Sequence, residues 1–349
     1  MKAVIMAGGK GTRFWPRSTA DKPKQFLALT SEYATMLQMT YDRFRSALAE
    51  EDVYVAVSEN YLSIVREQLP TLPLEQLIIE PDQRDTAPCI AITADFFMKR
   101  GLDDVIVTAP SDQYIPDADE LMEALRIAEA AAKDTGVVVT LGIVPTRAET
   151  GYGYIEASEA TADKKYGSRV KEVTAFIEKP SKEKAEILIQ SSNIYWNSGI
   201  FIWRPSTIAG YMERYQPEMW RIFRQEGAAL QEAYRKLPKL SIDYAIIEKL
   251  ELLYTIPIEF TWDDVGTWTS LERVFETDDD GNMVFGRIYP LSTRRSIVYS
   301  EQQKVVVIGV EDLIIVSTGE GLLICHKSEE QKVKQAIEAM NSDQEDREA

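Results

Sequence analysis

Three glycines and several cations crowd the start of the chain, in Met6-Ala7-Gly8-Gly9-Lys10-Gly11-Thr12-Arg13-Phe14-Trp15-Pro16-Arg17-Ser18, with Lys24 shortly after. A glycine-rich turn lets backbone N–H groups approach a polyphosphate closely. Arg13, with its bidentate fork, and Lys24 supply the charge that an α,β-phosphate bridge needs. Two better-known phosphate loops do not fit. A Walker loop needs Ser or Thr after its Gly-Lys pair, where this chain has Gly11, and a dinucleotide fingerprint needs a third glycine where Phe14 stands. Taken alone, the segment also reads as a strand-to-helix turn with incidental basic residues.

Two acids could complete such a site. Asp112 follows the β-rich run Val105–Thr108, and Asp264 follows Leu253–Phe260. If both runs belong to one sheet and end at the ligand edge, the two carboxylates converge. That pair suits Mg²⁺, which takes hard oxygen ligands and shares them with substrate phosphates. Singly, each acid has a plain structural job: a cap or turn for Asp112, a turn before Gly266 for Asp264, with Asp263 as a competitor. Glu178-Lys179-Pro180 is a further candidate, because Pro180 stops a strand and leaves both charges near the sheet edge. A glutamate accepts two sugar hydroxyls and a lysine neutralises a phosphate; an exposed ion pair is the alternative. Asn197-Ser198-Gly199 offers an amide and bare backbone, or an ordinary turn.

The elements that must position these residues alternate along the first half. Strands are expected at Lys2–Met6, Val53–Val57, Leu77–Glu80, Val105–Thr108 and Val137–Leu141. Helical spacing fills Thr35–Ala49, Tyr61–Gln68, Ala87–Lys99 and Asp119–Lys133. Continuous apolar strands separated by helices predict a mainly parallel sheet covered on both faces, an α/β fold. Beyond 150, Gly151–Ala157, Val170–Glu178 and Ser198–Trp203 read as strands inserted in or beside that sheet. Helices are expected from there to about Tyr234 and over Asp243–Leu250, before the strand Leu253–Phe260. The acidic stretch Thr277–Asn282 reads as a linker. Short runs at Val284–Ile288, Ser296–Ser300, Lys304–Gly309, Leu313–Ser317 and Leu322–Cys325 predict a small all-β module, followed by a helix near Glu329–Met340. The division expected is a catalytic domain over 1–276, the β module with its helix over 283–340, and a charged tail over 341–349.

Composition narrows the partners. The 349 residues carry a formal charge of −17, which repels nucleic acid and anionic lipid, so no nucleic-acid or membrane partner is expected. Cys89, Cys325 and the single His326 cannot build a disulfide framework or a four-ligand zinc site. The start lacks a signal-peptide apolar region, and no uncharged apolar stretch approaches a membrane span. A soluble, cytoplasmic protein is expected.

Several motifs in order carry a resemblance. Gly8-Gly9-Lys10-Gly11-Thr12-Arg13 with Trp15-Pro16 and Lys22-Pro23-Lys24-Gln25-Phe26 resembles the signature of the sugar-1-phosphate nucleotidyltransferases, and within them the mannose-1-phosphate guanylyltransferase branch. Glu80-Pro81-Asp82-Gln83-Arg84-Asp85-Thr86-Ala87-Pro88, Pro110-Ser111-Asp112, Gly151-Tyr152-Gly153-Tyr154-Ile155 and Phe176-Ile177-Glu178-Lys179-Pro180 follow. Asn197-Ser198-Gly199, Ser241-Ile242-Asp243-Tyr244 and Trp262-Asp263-Asp264-Val265-Gly266-Thr267-Trp268 complete the set. Gln113 stands where relatives often have His, and Thr267 where Ser is common.

The resemblance implies a Rossmann-like, mainly parallel mixed sheet of the nucleotide-diphospho-sugar transferase type, with a β-helix-like C-terminal module and a homodimer. It implies GDP-mannose and pyrophosphate made from GTP and mannose 1-phosphate. Catalytic roles fall to Arg13 and Lys24, and nucleotide binding to Ala7, Gly8, Gly9, Gly11, Thr12, Arg13, Arg84, Asp85, Thr86 and Ser111. Sugar binding falls to Gly153, Glu178, Lys179, Asn197, Gly199 and Asp243, and Mg²⁺ to Asp112 and Asp264. Longer relatives carry a phosphomannose isomerase domain after this region, so that activity is not expected here. Alternatives are a glucose-1-phosphate thymidylyl- or uridylyltransferase, or a catalytically silent nucleotide-sugar-binding subunit.

Overall fold

The apolar runs of the first 260 residues become nine strands of one sheet. They are β1 Lys2–Met6, β2 Val53–Ser58, β3 Leu77–Glu80, β4 Ile106–Pro110, β5 Val138–Ile143, β6 Gly153–Thr161, β7 Lys171–Glu178, β8 Ile194–Trp203 and β9 Leu253–Ile258, in the order β3-β2-β1-β4-β8-β5-β9-β7-β6. The computed structural model describes residues 1–9, 11–162, 164–167 and 169–348, with Lys164 and 341–348 as backbone only. Every residue of β2 and β5 is buried, as expected of strands covered on both faces.

Helices Met36–Arg45, Leu62–Gln68 and Thr86–Met98 connect the parallel strands β1, β2, β3 and β4. The helix Ala118–Thr135 starts where Asp117 Oδ1 accepts the Glu120 N–H at 3.0 Å and ends at Gly136, whose φ of 68° suits a residue without Cβ. A mixed sheet, as the resemblance implies, is what forms. β8 runs antiparallel to β4, β5 and β6, and β7 antiparallel to β6 and β9, so the sheet is mixed. The run Ile194–Trp203 is apolar enough for a central strand, but only its connections set its direction.

By contacts the chain forms two units. The first comprises Met1–Gly8, Thr40–Ser111 and Ile115–Trp262 and holds the nine-stranded sheet. Its main core joins Ile90, Ala94 and Phe97 of one helix with Phe201 and Trp203 of β8 and Ile208 and Met212 of the helix Pro205–Tyr215. The second comprises Gly9–Met39, Asp112–Tyr114 and the chain from Asp263 onward. It contains β10 Met283–Phe285, β11 Ile288–Leu291, β12 Ile297–Ser300, β13 Val305–Ile308, β14 Leu313–Ser317 and β15 Leu322–His326. These form a four-stranded sheet, β10-β12-β14-β15, and a pair, β11-β13. The expected single strand Val284–Ile288 is broken at Gly286, where φ is 106°. The expected helix Asp243–Leu250 is likewise shorter, a single turn Ile242–Ala245 followed by a 3₁₀ turn, Ile247–Lys249. No helix among the described residues is long and apolar enough to cross a membrane.

One buried acid in the first unit makes its stability pH-dependent. Glu80, 3% exposed at the end of β3, accepts the Tyr234 hydroxyl at 2.6 Å. Burial pushes its pKa up to about 7, outweighing the opposing hydrogen bonds from Tyr234 and Cys89. The folded state therefore binds this proton more tightly than the unfolded chain. The resulting stability is full below the ordinary carboxyl pKa and is lost as pH rises through about 7. At ~1.4 kcal/mol per unit the loss is on the order of 3 kcal/mol. Urea unfolding of Glu80→Gln at pH 5 and pH 8 should show that slope flattened; an unchanged slope would assign the pH dependence elsewhere.

Candidate active site

Within the second unit, the glycine loop is built around Lys24. Gly11 has φ 54°, and a Cβ there would fall 2.8 Å from the Lys24 backbone nitrogen, so only glycine fits this crossing. Ser18 Oγ donates to the Gly11 carbonyl at 2.6 Å, and Gln25 Nε2 donates to the Gly9 carbonyl at 3.2 Å. Arg13 is exposed, on the turn Thr12–Phe14. Lys10 lies outside the described residues.

The Lys24 side chain is buried, and its Nζ donates to Asp112 Oδ2 at 2.9 Å and to the Asp264 carbonyl oxygen at 2.5 Å. The segments bearing the two acids are paired directly: the Tyr114 N–H donates to the Asp263 carbonyl at 2.8 Å, and Asp263 N–H to the Tyr114 carbonyl at 3.1 Å. One ammonium thus gathers both expected metal-binding segments beside the glycine loop.

Asp263 and Asp264 have different surroundings. Asp263 is 3% exposed, takes Arg273 in a two-pronged ion pair at 2.5 and 3.0 Å, and accepts the Val265 N–H at 2.8 Å. Its oxygens are committed to the turn. The Asp264 carboxylate lies over Gly266, where a Cβ would meet Oδ2 at 2.8 Å. Val265 between them is held at φ 47°, a strained value for a β-branched residue.

In the first unit the expected sugar residues converge. Gly153 on β6 stands opposite Glu178 on β7, and a Cβ on Gly153 would fall 2.5 Å from Glu178 Oε2. Glu178 pairs with Lys179, which adopts φ 46° and donates its N–H to the Tyr152 carbonyl at 3.2 Å. Asn197 on β8 donates through Nδ2 to Asp243 Oδ1 at 2.9 Å and accepts the Gly199 N–H at 3.2 Å. Burial, reinforced by repulsion from Glu178, pushes the Asp243 pKa up to about 6 against the pull of Lys179 and Asn197. Burial works against the Lys179 charge, but Glu178 and Asp243 outweigh it and raise the Lys179 pKa. Two carboxylates, an amide and an ammonium in one cluster can accept hydroxyls and hold an anion.

The remaining expected residues of this unit have structural partners. Ala7 donates its N–H to the Ala56 carbonyl at 2.8 Å, and Gly8 ends the first segment of the unit. Ser111 donates its N–H to the Met6 carbonyl at 3.1 Å, while its buried hydroxyl has no partner among the described residues. Arg84 pairs with Asp82 at 2.7 Å and donates to the Leu237 carbonyl at 3.3 Å. Asp85, at φ 71°, caps the helix Thr86–Met98 by accepting the Thr86 N–H at 2.7 Å. Thr86 Oγ1 accepts the Ile242 N–H at 2.8 Å, which ties this segment to the turn carrying Asp243.

One neighbour escaped sequence reasoning. Arg147 lies 4.9 Å over the Trp196 ring and donates to the Tyr152 hydroxyl at 3.0 Å, next to Gly153. Only its place just before Gly-Tyr-Gly could have signalled it.

The chain resembles known proteins over nearly its whole length. A nucleotidyl transferase family model matches residues 2–281, and a mannose-phosphate isomerase/GMP-like β-helix domain matches 286–340. The chain belongs to the nucleotidyl transferase family. It is 35% identical over 98% of its length to the alginate biosynthesis protein AlgA of Pseudomonas syringae, covering 72% of that protein. It is 35% identical over 97% of its length to the mannose-1-phosphate guanylyltransferase of Escherichia coli K12, covering 73% of it. A solved structure from Thermus thermophilus, described as a mannose-1-phosphate geranyltransferase, superposes with a TM-score of 0.88 at 34% identity, covering 97% of this chain and 99% of that one.

Proposed function

We propose that the protein makes GDP-mannose and pyrophosphate from GTP and mannose 1-phosphate. The observation that carries this reading is the Lys24 ammonium joined to Asp112 and to the Asp264 backbone beside a glycine loop. Guanylyltransferases among the relatives at about one-third identity support the specificity.

In this reaction an oxygen of the sugar phosphate attacks the α-phosphorus, the bond from α-phosphorus to the bridging oxygen breaks, and pyrophosphate leaves with that electron pair. The attacking phosphate is already anionic near neutral pH, so no general base is required. The work is to hold two polyanions together and offset charge on the transferring group. Arg13 takes the leaving pyrophosphate, and Lys24 the α-phosphate and the incoming phosphate. Ala7, Gly8, Gly9, Gly11, Thr12 and Ser111 serve the triphosphate side, and Arg84, Asp85 and Thr86 the base and ribose. Lys179 anchors the sugar phosphate, while Gly153, Glu178, Asn197, Gly199 and Asp243 surround the sugar ring.

Asp112 and Asp264 fit Mg²⁺. Lys24 draws the Asp112 side chain and the Asp264 backbone to one point, and carboxylates are the hard oxygen donors of an ion that completes its shell with phosphate and water. When bound, the ion supplies Lewis-acid neutralisation of phosphate charge.

The same reading gives a cytoplasmic homodimer. Tyr289, Leu291, Val306 and Ile308 are each more than half exposed, and Tyr289 sits beside Val306 and Leu291 beside Ile308. This outward apolar face of β11 and β13 is the surface offered to a second copy, and sedimentation equilibrium reads the state.

The decisive experiment is pyrophosphate release with Mg²⁺, each nucleoside triphosphate being tested against mannose 1-phosphate and glucose 1-phosphate. Release with GTP and mannose 1-phosphate, abolished by chelator, is expected. Release with another pair would keep the chemistry and change the specificity; silence with every pair would overturn the reading in favour of a binding subunit.

A further inference from the structure

Four consecutive residues that follow Arg13 rest on chain from the carboxy-terminal part of the second unit. Phe14, fully buried, belongs to one apolar cluster with Met283, Ile297, Ile314 and Val316 of the β module, and its ring lies 5.2 Å from that of Trp268. Trp15 covers Gly321 in the turn between β14 and β15, where a Cβ would come within 2.8 Å of the indole. The Pro16 carbonyl accepts the Thr318 hydroxyl at 3.3 Å. The Arg17 guanidinium lies 4.4 Å over the Tyr299 ring on β12, and its Nη2 donates to the Ala28 carbonyl at 3.0 Å.

We propose that the β module is the seat of the glycine loop, with Tyr299, acting through Arg17, and Gly321, acting through Trp15, as positioning residues that hold the Gly11–Arg13 turn in its nucleotide-binding form. Besides its close approach to Lys24, the turn has few hydrogen bonds of its own among the described residues. It is closed by the Phe14 N–H to the Gly11 carbonyl at 3.3 Å, the Trp15 N–H to the Thr12 carbonyl at 3.2 Å and Ser18 Oγ to Gly11. Such single-turn bonds set a shape but not a location. Location comes from the side chains that anchor the next four residues, and Arg17 stacked on an aromatic face is a directional anchor. The module therefore tunes triphosphate affinity without touching triphosphate.

The inference rests on the nucleotidyl-transfer reading, and two readouts separate their failures. Titration calorimetry should give a Kd for Mg-GTP raised about tenfold in Tyr299→Leu and in Gly321→Ala, the size a stacked cation–ring contact can supply. The Kd for mannose 1-phosphate should stay within about twofold, and Tyr299→Phe, which keeps the ring, should match the wild type. Independently of any ligand, trypsin should cleave after Arg13 and Arg17 faster in Tyr299→Leu than in Tyr299→Phe or the wild type, at unchanged melting temperature. Wild type that binds no nucleotide would sink the functional reading alone, and the proteolysis would still judge the seat. Equal cleavage in all variants, equal losses for both ligands, or a Phe variant as weak as Leu would overturn the proposal.

Discussion

Asp264→Asn should lower turnover by about 10²–10³ while leaving the melting temperature nearly unchanged, on the scale of losing one charge-stabilising group in a preorganised site. What Lys24 takes from this residue is its backbone carbonyl, which asparagine keeps. The side chain stands beside the bare backbone of Gly266, so an isosteric amide fits the same space. The variant thus removes one negative charge while keeping the shape of the side chain. Asp263→Asn should behave in the opposite way. It breaks the bidentate pair between the buried Asp263 carboxylate and the exposed Arg273, and the loss should appear first as lowered stability. Turnover and thermal melts on the two variants separate the roles. Near-normal turnover in Asp264→Asn, or a stability loss larger than that of Asp263→Asn, would remove Asp264 from the reaction.

Gly11→Ala should be the most damaging single methyl in the glycine loop. The new Cβ would sit 2.8 Å from the Lys24 nitrogen and 3.1 Å from its Cα, and those are backbone atoms with no rotamer to yield. The backbone at φ 54° adds a left-handed penalty of about 1 kcal/mol. Relief requires moving the glycine turn away from the Lys24 segment, and with it the ammonium that gathers Asp112 and Asp264. Turnover should fall by more than about 100-fold, since a misplacement of about 1 Å can cost that much. Gly210→Ala is the control, because a Cβ there, on the helix Pro205–Tyr215, meets nothing within 4 Å. Equal activity in the two variants would show that the crossing at Lys24 is not needed.

Much of this was legible before the structure. The glycine spacing and Lys24 pointed to phosphate chemistry, and the placement of Asp112 and Asp264 after strands gave a reason for them to meet. The continuous runs Lys2–Met6, Leu77–Glu80 and Leu313–Ser317 reappear as strands with the same bounds. Illegible features depend on partners far away in sequence. Nothing in Ile194–Trp203 tells its direction, because alternation and burial are the same for a strand running either way. Nothing local shows that Asp85, within its motif, also caps a helix at a positive φ. Asp263 and Asp264 are neighbours of one type, and nothing local shows which of them Arg273 will hold. Tyr299 carries no motif at all, because its meaning lies in a guanidinium on a segment near the other end of the chain.

The second unit is stitched from Gly9–Met39 near the start and the chain from Asp263 onward, with a three-residue piece, Asp112–Tyr114, from the middle. During synthesis, Phe14, Leu27, Leu29 and Met36 leave the ribosome long before Met283, Ile297, Ile314 and Val316, the residues they pack against. Contacts of such sequence separation form only when both ends of the chain are present. A nascent chain can therefore complete the nine-stranded sheet while its phosphate loop still lacks its support. Binding competence should come last, in one step, as the final strands emerge, and a chain released early should carry the sheet without the means to grip a triphosphate.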